Sequence, residues 1–141
     1  MLSIHIICVG RLKEKFYIEA SAEYAKRLSG YCRFQLAELP EERLPEKPSQ
    51  AQIESGLARE GAAILQRLPK GGAVIAMCVE GKSQLTFLIG SSYGLHTSVK
   101  ERADLKLSMS PMTFPHHLAR VMLLEQIYRG FKIMEGSSYH K

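Results

Sequence analysis

Two apolar runs constrain the fold of this chain more strongly than any other feature of its sequence. Residues 4–9 and 73–79 are almost entirely apolar and lack the polar alternation of a half-exposed strand. A strand of this composition is buried on both faces, as in a parallel sheet that helices cover on each side. The two runs therefore predict an α/β domain with a largely parallel sheet.

Strands and helices alternate along the 141 residues, which is the length of one ordinary domain. The predicted strands are Ser3–Val9, Arg33–Leu39 and residues 73–79, 85–89 and 105–109. The predicted helices are residues 12–28, 50–68, 96–103 and 115–134. Ser49 suits the N-cap of the second helix, and Pro115 suits the first turn of the last one. We expect a single domain, residues 1–141, whose mostly parallel sheet is flanked by helices.

One connection conflicts with an all-parallel sheet. Only residues 80–84 separate the third predicted strand from the fourth, whereas a parallel crossover needs about a dozen residues or more. Two explanations stay open. Either these strands form an antiparallel hairpin, or a helix is missing between them.

Composition narrows the classes of function. The net charge of +5 favours a polyanionic partner, nucleic acid above all, although many proteins are mildly basic without one. The apolar runs are too short to span a membrane, and Met1, Leu2 and Ser3 do not begin a signal peptide. We therefore expect a cytoplasmic protein without membrane attachment.

The cysteines and histidines do not form a metal-binding pattern. Cys8, Cys32 and Cys78 lie in or beside apolar runs, and no pair has CxxC spacing. His116 and His117 are adjacent, so on a helix they point about 100° apart and cannot share an ion. We predict buried, reduced thiols and no metal.

Two segments of the C-terminal half could offer backbone groups to a ligand. Residues 90–94 form a glycine-containing loop after a buried strand, where α/β sheets bind ligands, but without GxGxxG spacing. Residues 108–115 contain Pro111 and Pro115, which keep the chain extended and leave backbone groups free for an adenine edge or an amino-acid group. A plain strand-to-helix turn and a strand-exit loop are the respective alternatives.

The tail and several basic residues could act on an RNA. Tyr139, His140 and Lys141 end the chain with side chains that can stack, titrate and bind phosphate. Two basic groups, one near the first helix and one on the last, would bind a phosphate backbone if both border one cleft. Their members include Arg11, Lys13, Arg120 and Arg129. For any one of them, a solvated surface position is the alternative.

Several motifs carry a resemblance to a known family. They are MTFPH at residues 112–116, EQIYR at 125–129, YHK at 139–141, VGRLKEK at 9–15 and EYAKRL at 23–28. On these motifs the chain resembles the SPOUT superfamily, and within it methyltransferases of large-subunit ribosomal RNA. The likeness covers nearly the whole chain.

The resemblance implies a C-terminal deep trefoil knot, a homodimer and S-adenosylmethionine bound in the knot. Knotted chains are rare among folds. The implied reaction is methyl transfer to N3 of a pseudouridine in helix 69 of 23S rRNA, within the assembled ribosome.

Residue roles follow from the same resemblance. The implied cofactor-binding residues are Met77, Gly90, Met109, Ser110, Pro111, Met112, Thr113 and Phe114. The expected catalytic residues are His140, Tyr139 and Arg120, with His140 as the candidate proton acceptor because it titrates near neutral pH. The expected RNA-binding residues are Arg129, Lys141, Arg11 and Lys13.

The chain departs from the family pattern in two places. Ser91 stands where the family usually has a second glycine. Relatives also carry about one further helix between Lys82 and the strand that begins near Leu85. The crossover rule and the family pattern thus indicate a segment missing between Lys82 and Ser83, or a true deletion there.

Two other functions fit the sequence. A basic protein could bind the ribosome or RNA through the same cleft without catalysis. An α/β nucleotide-binding module of unrelated purpose is the second alternative. Binding of S-adenosylmethionine together with methylation of ribosomes would distinguish the enzyme from both.

Overall fold

A computed structural model of the chain describes residues 1–74 and 84–140. Its elements, in chain order, are β1 (Ser3–Val9), α1 (Lys15–Leu28), β2 (Arg33–Leu39), α2 (Gln50–Arg67), β3 (Ala73–Val74), β4 (Gln84–Ile89), α3 (Thr97–Arg102) and α4 (His116–Met134). A 3₁₀ turn, Ser138–His140, ends the described chain.

The sheet is parallel throughout its described part. Its strand order is β2-β1-β4-β3, and β1 pairs in parallel with β2 and with β4. The α/β fold with a parallel sheet is therefore confirmed.

The pairing of β3 with β4 decides between the two explanations of the short junction. Ala73 lies opposite Leu85 and Val74 opposite Thr86 in a parallel ladder, so the hairpin explanation is wrong. The junction between Lys82 and Ser83, and the rest of the predicted third strand, lie outside the described residues.

Helices cover both faces of β1, which explains why its sequence lacks alternation. Ile4, Ile6 and Cys8 pack toward α1 and α4 in one core cluster. Ile7 and Val9 pack toward α2 and α3 in a second cluster. The carboxyl end of β1 is thus enclosed between two helical layers, and the candidate site lies at this edge.

The predicted helices are present with shifted ends. The first begins at Lys15 rather than residue 12, and Phe16 in its first turn is 63% exposed. Ser49 caps α2, and Gln52 completes a capping box with it. In α4, Arg129 pairs with Glu125 at 3.1 Å, as the spacing of four residues predicts.

The predicted fifth strand is wrong. Residues 105–109 have no regular secondary structure, and Leu105, Leu107 and Met109 remain 43–50% exposed. A strand needs a neighbouring backbone to pair with. Among the described residues, Asp104, which precedes this segment, pairs with β3: its N–H donates to the Val74 carbonyl oxygen at 2.9 Å and its Oδ2 accepts the Val74 N–H at 2.6 Å.

Cys8 and Cys32 are buried free thiols, as expected. Burial raises the pKa of the Cys8 thiol to about 12 and that of Cys32 to about 11. Cys78 lies outside the described residues. None of the described helices combines the length and apolar character that a membrane span requires.

Candidate cofactor and RNA site

The glycine loop, defined here as residues 90–95, follows β4 at the carboxyl edge of the sheet. The Gly94 N–H donates to the Ser91 carbonyl oxygen at 2.9 Å, and Gly94 has a φ of +90°. A Cβ placed on Gly90 would lie 2.3 Å from the Gly94 carbonyl oxygen. The loop therefore folds back on Gly90 so closely that a side chain there has no room.

Ser91 is held by a buried glutamate that the sequence analysis missed. Its hydroxyl donates to Oε2 of Glu60 on α2 at 2.9 Å, and both residues are only 6% exposed. The other oxygen of Glu60 accepts the Glu42 N–H at 2.9 Å. The sequence does indicate that Glu60 is buried, since it lies three residues after Leu57 and four before Ile64, on the buried stripe of α2.

An apolar cavity of about 440 Å³ opens beside this loop. Gly90, Gly94 and Leu95 line one side, and Leu107 and Met109 line another. Pockets for small organic ligands have volumes of about 300–1,000 Å³ and mostly apolar walls. The cavity brings together two of the residues expected to bind cofactor, Gly90 and Met109.

The remaining expected cofactor residues form an exposed loop that continues from Met109. Ser110 accepts the Met112 N–H on its hydroxyl at 3.0 Å, and Met112 is 70% exposed. Pro111 and Thr113 are also exposed, whereas Phe114 is half-buried. The 109–114 loop is thus largely exposed, and it borders the cavity at Met109. Met77 lies outside the described residues.

Arg120 is fully buried rather than exposed to a phosphate. Its guanidinium donates to Glu38 at 2.5 Å and to the Gly10 carbonyl oxygen at 2.8 Å, and its side chain is 0% exposed. The expected phosphate contact does not fit this position. Its spacing from Leu124 and Ile127 already places Arg120 on the buried face of α4.

The two histidines at the start of α4 lie close to Gly10. The rings of His116 and His117 are 4.1 Å apart, and His117 Nδ1 lies 3.5 Å from Glu14. Burial, followed by the neighbouring His117, lowers the pKa of His116. Among the described residues, no group of His, Cys, Asp and Glu has the arrangement of a metal site.

The tail packs onto α4. The Tyr139 ring meets Tyr128 edge-on at 5.2 Å, and Arg129 lies 5.9 Å above the Tyr139 ring. Burial raises the pKa of Tyr24, and a side-chain hydrogen bond with Tyr139 raises it further. The side chain of His140 and all of Lys141 lie outside the described part of the chain.

The other expected RNA-binding residues lie apart from this tail. Arg11 and Lys13 are exposed in the connection between β1 and α1. Arg129 is partly exposed and engaged by Glu125. The structure thus brings Tyr139 and Arg129 together, while Arg11 and Lys13 lie near the start of α1.

A family comparison matches nearly the whole chain. The model described as "Predicted SPOUT methyltransferase" matches residues 2–84 and 78–140. The chain belongs to the SPOUT methyltransferase family.

Curated relatives of this SPOUT methyltransferase extend the match. Proteins named "Ribosomal RNA large subunit methyltransferase H" from Leuconostoc mesenteroides subsp. mesenteroides, Streptococcus uberis and Limosilactobacillus reuteri are 43%, 42% and 42% identical to it. Each alignment covers 99% of this chain and 100% of the relative.

The same alignments bear on the short junction. They span 159 positions, against 141 residues in this SPOUT methyltransferase. The two family-model segments overlap at residues 78–84, which indicates that the shortfall falls between β3 and β4. The nine residues between these parallel strands are fewer than a helical crossover needs.

Proposed function

We propose that this protein transfers a methyl group from S-adenosylmethionine to N3 of a pseudouridine in helix 69 of 23S rRNA, in the assembled ribosome. The observation that carries the proposal is the end-to-end match to relatives named as large-subunit rRNA methyltransferases. The net charge of +5 suits an RNA substrate. A single-domain cytoplasmic enzyme is part of the same proposal.

The cavity suits the methyl donor in size and lining. Gly90 and the 109–114 loop would hold it, because backbone N–H and carbonyl groups at Gly90 and in that exposed loop can donate and accept hydrogen bonds. Met77 completes the proposed binding set. The bound donor supplies a sulfonium methyl group that is already activated for transfer.

The proposed chemistry of the chain is proton removal and positioning. N3 of the base must lose a proton, and the His140 imidazole would accept it, since its usual pKa lies near neutral pH. Tyr139 would stack on the base. Arg120 acts from within the core, where it fixes α4 to the sheet.

Phosphate contacts form the next part of the proposal. We assign them to Arg129, Lys141, Arg11 and Lys13. Exposed Arg11 and Lys13 are free to reach an RNA backbone, and Arg129 lies beside the tail.

A homodimer with a shared site belongs to the proposal. Tyr139 packs on Tyr128 of α4, and none of the described tail residues lines the cavity of its own subunit. We therefore propose that the tail of one subunit completes the cavity of its partner.

The trefoil knot is proposed on the family resemblance. The return of the chain to β3 after α3, through the Asp104–Val74 hydrogen bond, supports it. A knot also places the 109–114 loop beside the glycine loop, which is the geometry a shared cofactor site requires.

Labelled S-adenosylmethionine and isolated ribosomes test the function. We expect micromolar-class binding, labelled 23S rRNA, and a much larger loss of turnover than of cofactor affinity for His140→Ala. Collapsed cofactor binding with normal turnover per bound complex would remove His140 from its role. Binding to ribosomes without labelling would instead favour the non-catalytic RNA-binding alternative.

Complementation tests the shared site. Gly90→Ala damages the cavity and His140→Ala damages the tail, so each homodimer should be inactive. After mixing and subunit exchange, about half of the dimers are mixed and each has one intact site, which predicts about a quarter of wild-type activity. No recovery after confirmed exchange would contradict a site shared between subunits.

A further inference from the structure

We infer that Glu60 is a positioning residue for the methyl-donor site: its buried carboxylate holds the glycine loop through the Ser91 hydroxyl. This inference rests on the proposed cofactor and extends the site to a residue outside the motifs. The Ser91 hydroxyl donates to Glu60 Oε2 at 2.9 Å, and both side chains are more than nine-tenths buried.

The position of Ser91 determines the wall of the cavity. It lies between Gly90 and Gly94, whose backbones are so close that a Cβ on Gly90 would overlap the Gly94 carbonyl. A displacement of Ser91 must therefore move both glycines, which line the cavity. Neither Ser91 nor Glu60 lines the cavity, so their hydrogen bond holds the loop without entering the space for a ligand.

The helix that carries Glu60 is itself held firmly. A Cβ on the next residue, Gly61, would lie 2.9 Å from the His96 Cβ and 3.2 Å from Val99. α2 therefore packs against the start of α3 with no space for a side chain. Because the glycine loop leads directly into α3, α2 contacts both ends of the loop, through Glu60 at Ser91 and through Gly61 at His96.

The second oxygen of the same carboxylate holds another loop. It accepts the Glu42 N–H at 2.9 Å, and the Glu42 side chain accepts from Arg59 at 2.9 Å. Glu42 follows β2 at the carboxyl edge of the sheet, where ligands of such sheets bind. One buried carboxylate thus fixes two loops at the same edge.

A role in packing alone does not account for this arrangement. Burying a carboxylate is costly, and an apolar side chain of similar size is often as stable or more so. A carboxylate that uses both oxygens for two separate loops instead sets their geometry. Ser91 supplies the hydroxyl for one of these contacts, which a residue without a side-chain donor could not make.

Calorimetric titration of the full chain with S-adenosylmethionine tests the inference. Ser91→Ala and Glu60→Ala should each raise the Kd at least five-fold, and the double variant should bind no worse than the weaker single one. Glu60→Gln, which can still pair with Ser91 and Glu42, should bind more tightly than Glu60→Ala. Ser21→Ala is the matched control, because Ser21 is 4% exposed and its hydroxyl has no partner in the described chain.

Amide exchange of the cofactor-free protein separates this inference from the proposed function. Ser91→Ala should accelerate exchange at residues 91–95 at least ten-fold, whereas Ser21→Ala should leave these amides unchanged. Ser91→Ala also keeps the test valid if Glu60→Ala fails to fold. Wild-type loop exchange and wild-type Kd in Ser91→Ala would overturn the inference. A wild-type chain that binds no S-adenosylmethionine would refute the proposed function instead.

Discussion

The two loops that line the cavity are held in opposite ways. The glycine loop is fixed from behind by the buried Ser91–Glu60 hydrogen bond and by the contact between Gly90 and Gly94. The 109–114 loop has local hydrogen bonds, such as that from the Met112 N–H to Ser110, and Met112 is 70% exposed. Contacts with the core therefore set the shape of the glycine loop, whereas the shape of the 109–114 loop is set mainly by its own short-range contacts.

This difference separates two kinds of residue at one site. Substitutions in the glycine loop should alter folding and binding together, because the loop is part of the packed structure. Substitutions in the 109–114 loop should alter binding with little change in stability, since exposed side chains contribute little to it. Arg120 and His116 lie on α4, which follows the 109–114 loop. They lie where α4 meets the sheet, and the same sheet carries the glycine loop.

Arg120→Met should have the largest effect on stability. Losing one partner of a buried ion pair costs about 3–5 kcal/mol, and we expect about 3 because Glu38 is 29% exposed. Urea denaturation measures the loss. Arg129→Met is the control on the same helix, because its side chain is 41% exposed and its pair with Glu125 contributes about 0.5 kcal/mol. Equal losses in the two variants would show that Arg120 does not connect α4 to the sheet.

Gly90→Ala should be the most damaging change within the loops. Its Cβ would lie 2.3 Å from the Gly94 carbonyl oxygen, so the loop must move, at about 2 kcal/mol in the free energy of unfolding. Gly130→Ala is the matched control, because nothing lies within 4 Å of a Cβ there and α4 should gain about 0.5–1 kcal/mol. A Gly90→Ala protein as stable as wild type would mean that the glycine loop is not rigid.

Much of the fold could be predicted because apolar patterning reports burial directly. The runs around Ile6 and Leu88 specify strands with two covered faces, and Ser49 specifies the start of α2. The strand predicted over residues 105–109 failed because its pattern says nothing about which backbone lies beside it. Pairing is a tertiary property, and propensity alone does not create it.

Two of the residues expected to bind the cofactor, Gly90 and Met109, line one cavity, and their role in binding stays a prediction. The residues that support this cavity were not predicted. Glu60 and Arg120 were missed as buried residues because charged side chains are usually exposed. The helical spacing of both residues indicates the buried face, but only the structure shows the partners that make their burial tolerable.

Met112→Ala tests whether the exposed 109–114 loop contributes to binding but not to stability. Met112 is 70% exposed, so its loss should change stability by less than about 0.5 kcal/mol. If the loop holds the methyl donor, the Kd should rise about five-fold, or about 1 kcal/mol. Met134→Ala, at an equally exposed position of 72% at the end of α4, should leave the Kd unchanged. Equal Kd values for the two variants would mean that the methyl donor binds away from the 109–114 loop.

The smallest expected effect is a pH dependence from His116, where the 109–114 loop leads into α4. Burial and the neighbouring His117 lower the pKa of His116 below its usual 6.5. The imidazole of His116 therefore takes up a proton more readily in the unfolded chain than in the folded protein. The free energy of unfolding falls as the pH drops through about 6.5 toward the lowered pKa of His116. His116→Gln removes this proton uptake, so its unfolding free energy should fall less than that of wild type between pH 7.5 and pH 5. Parallel pH profiles for the two proteins would mean that His116 is as freely protonated in the folded state as in the unfolded chain, and that the junction of α4 with the sheet is open to water.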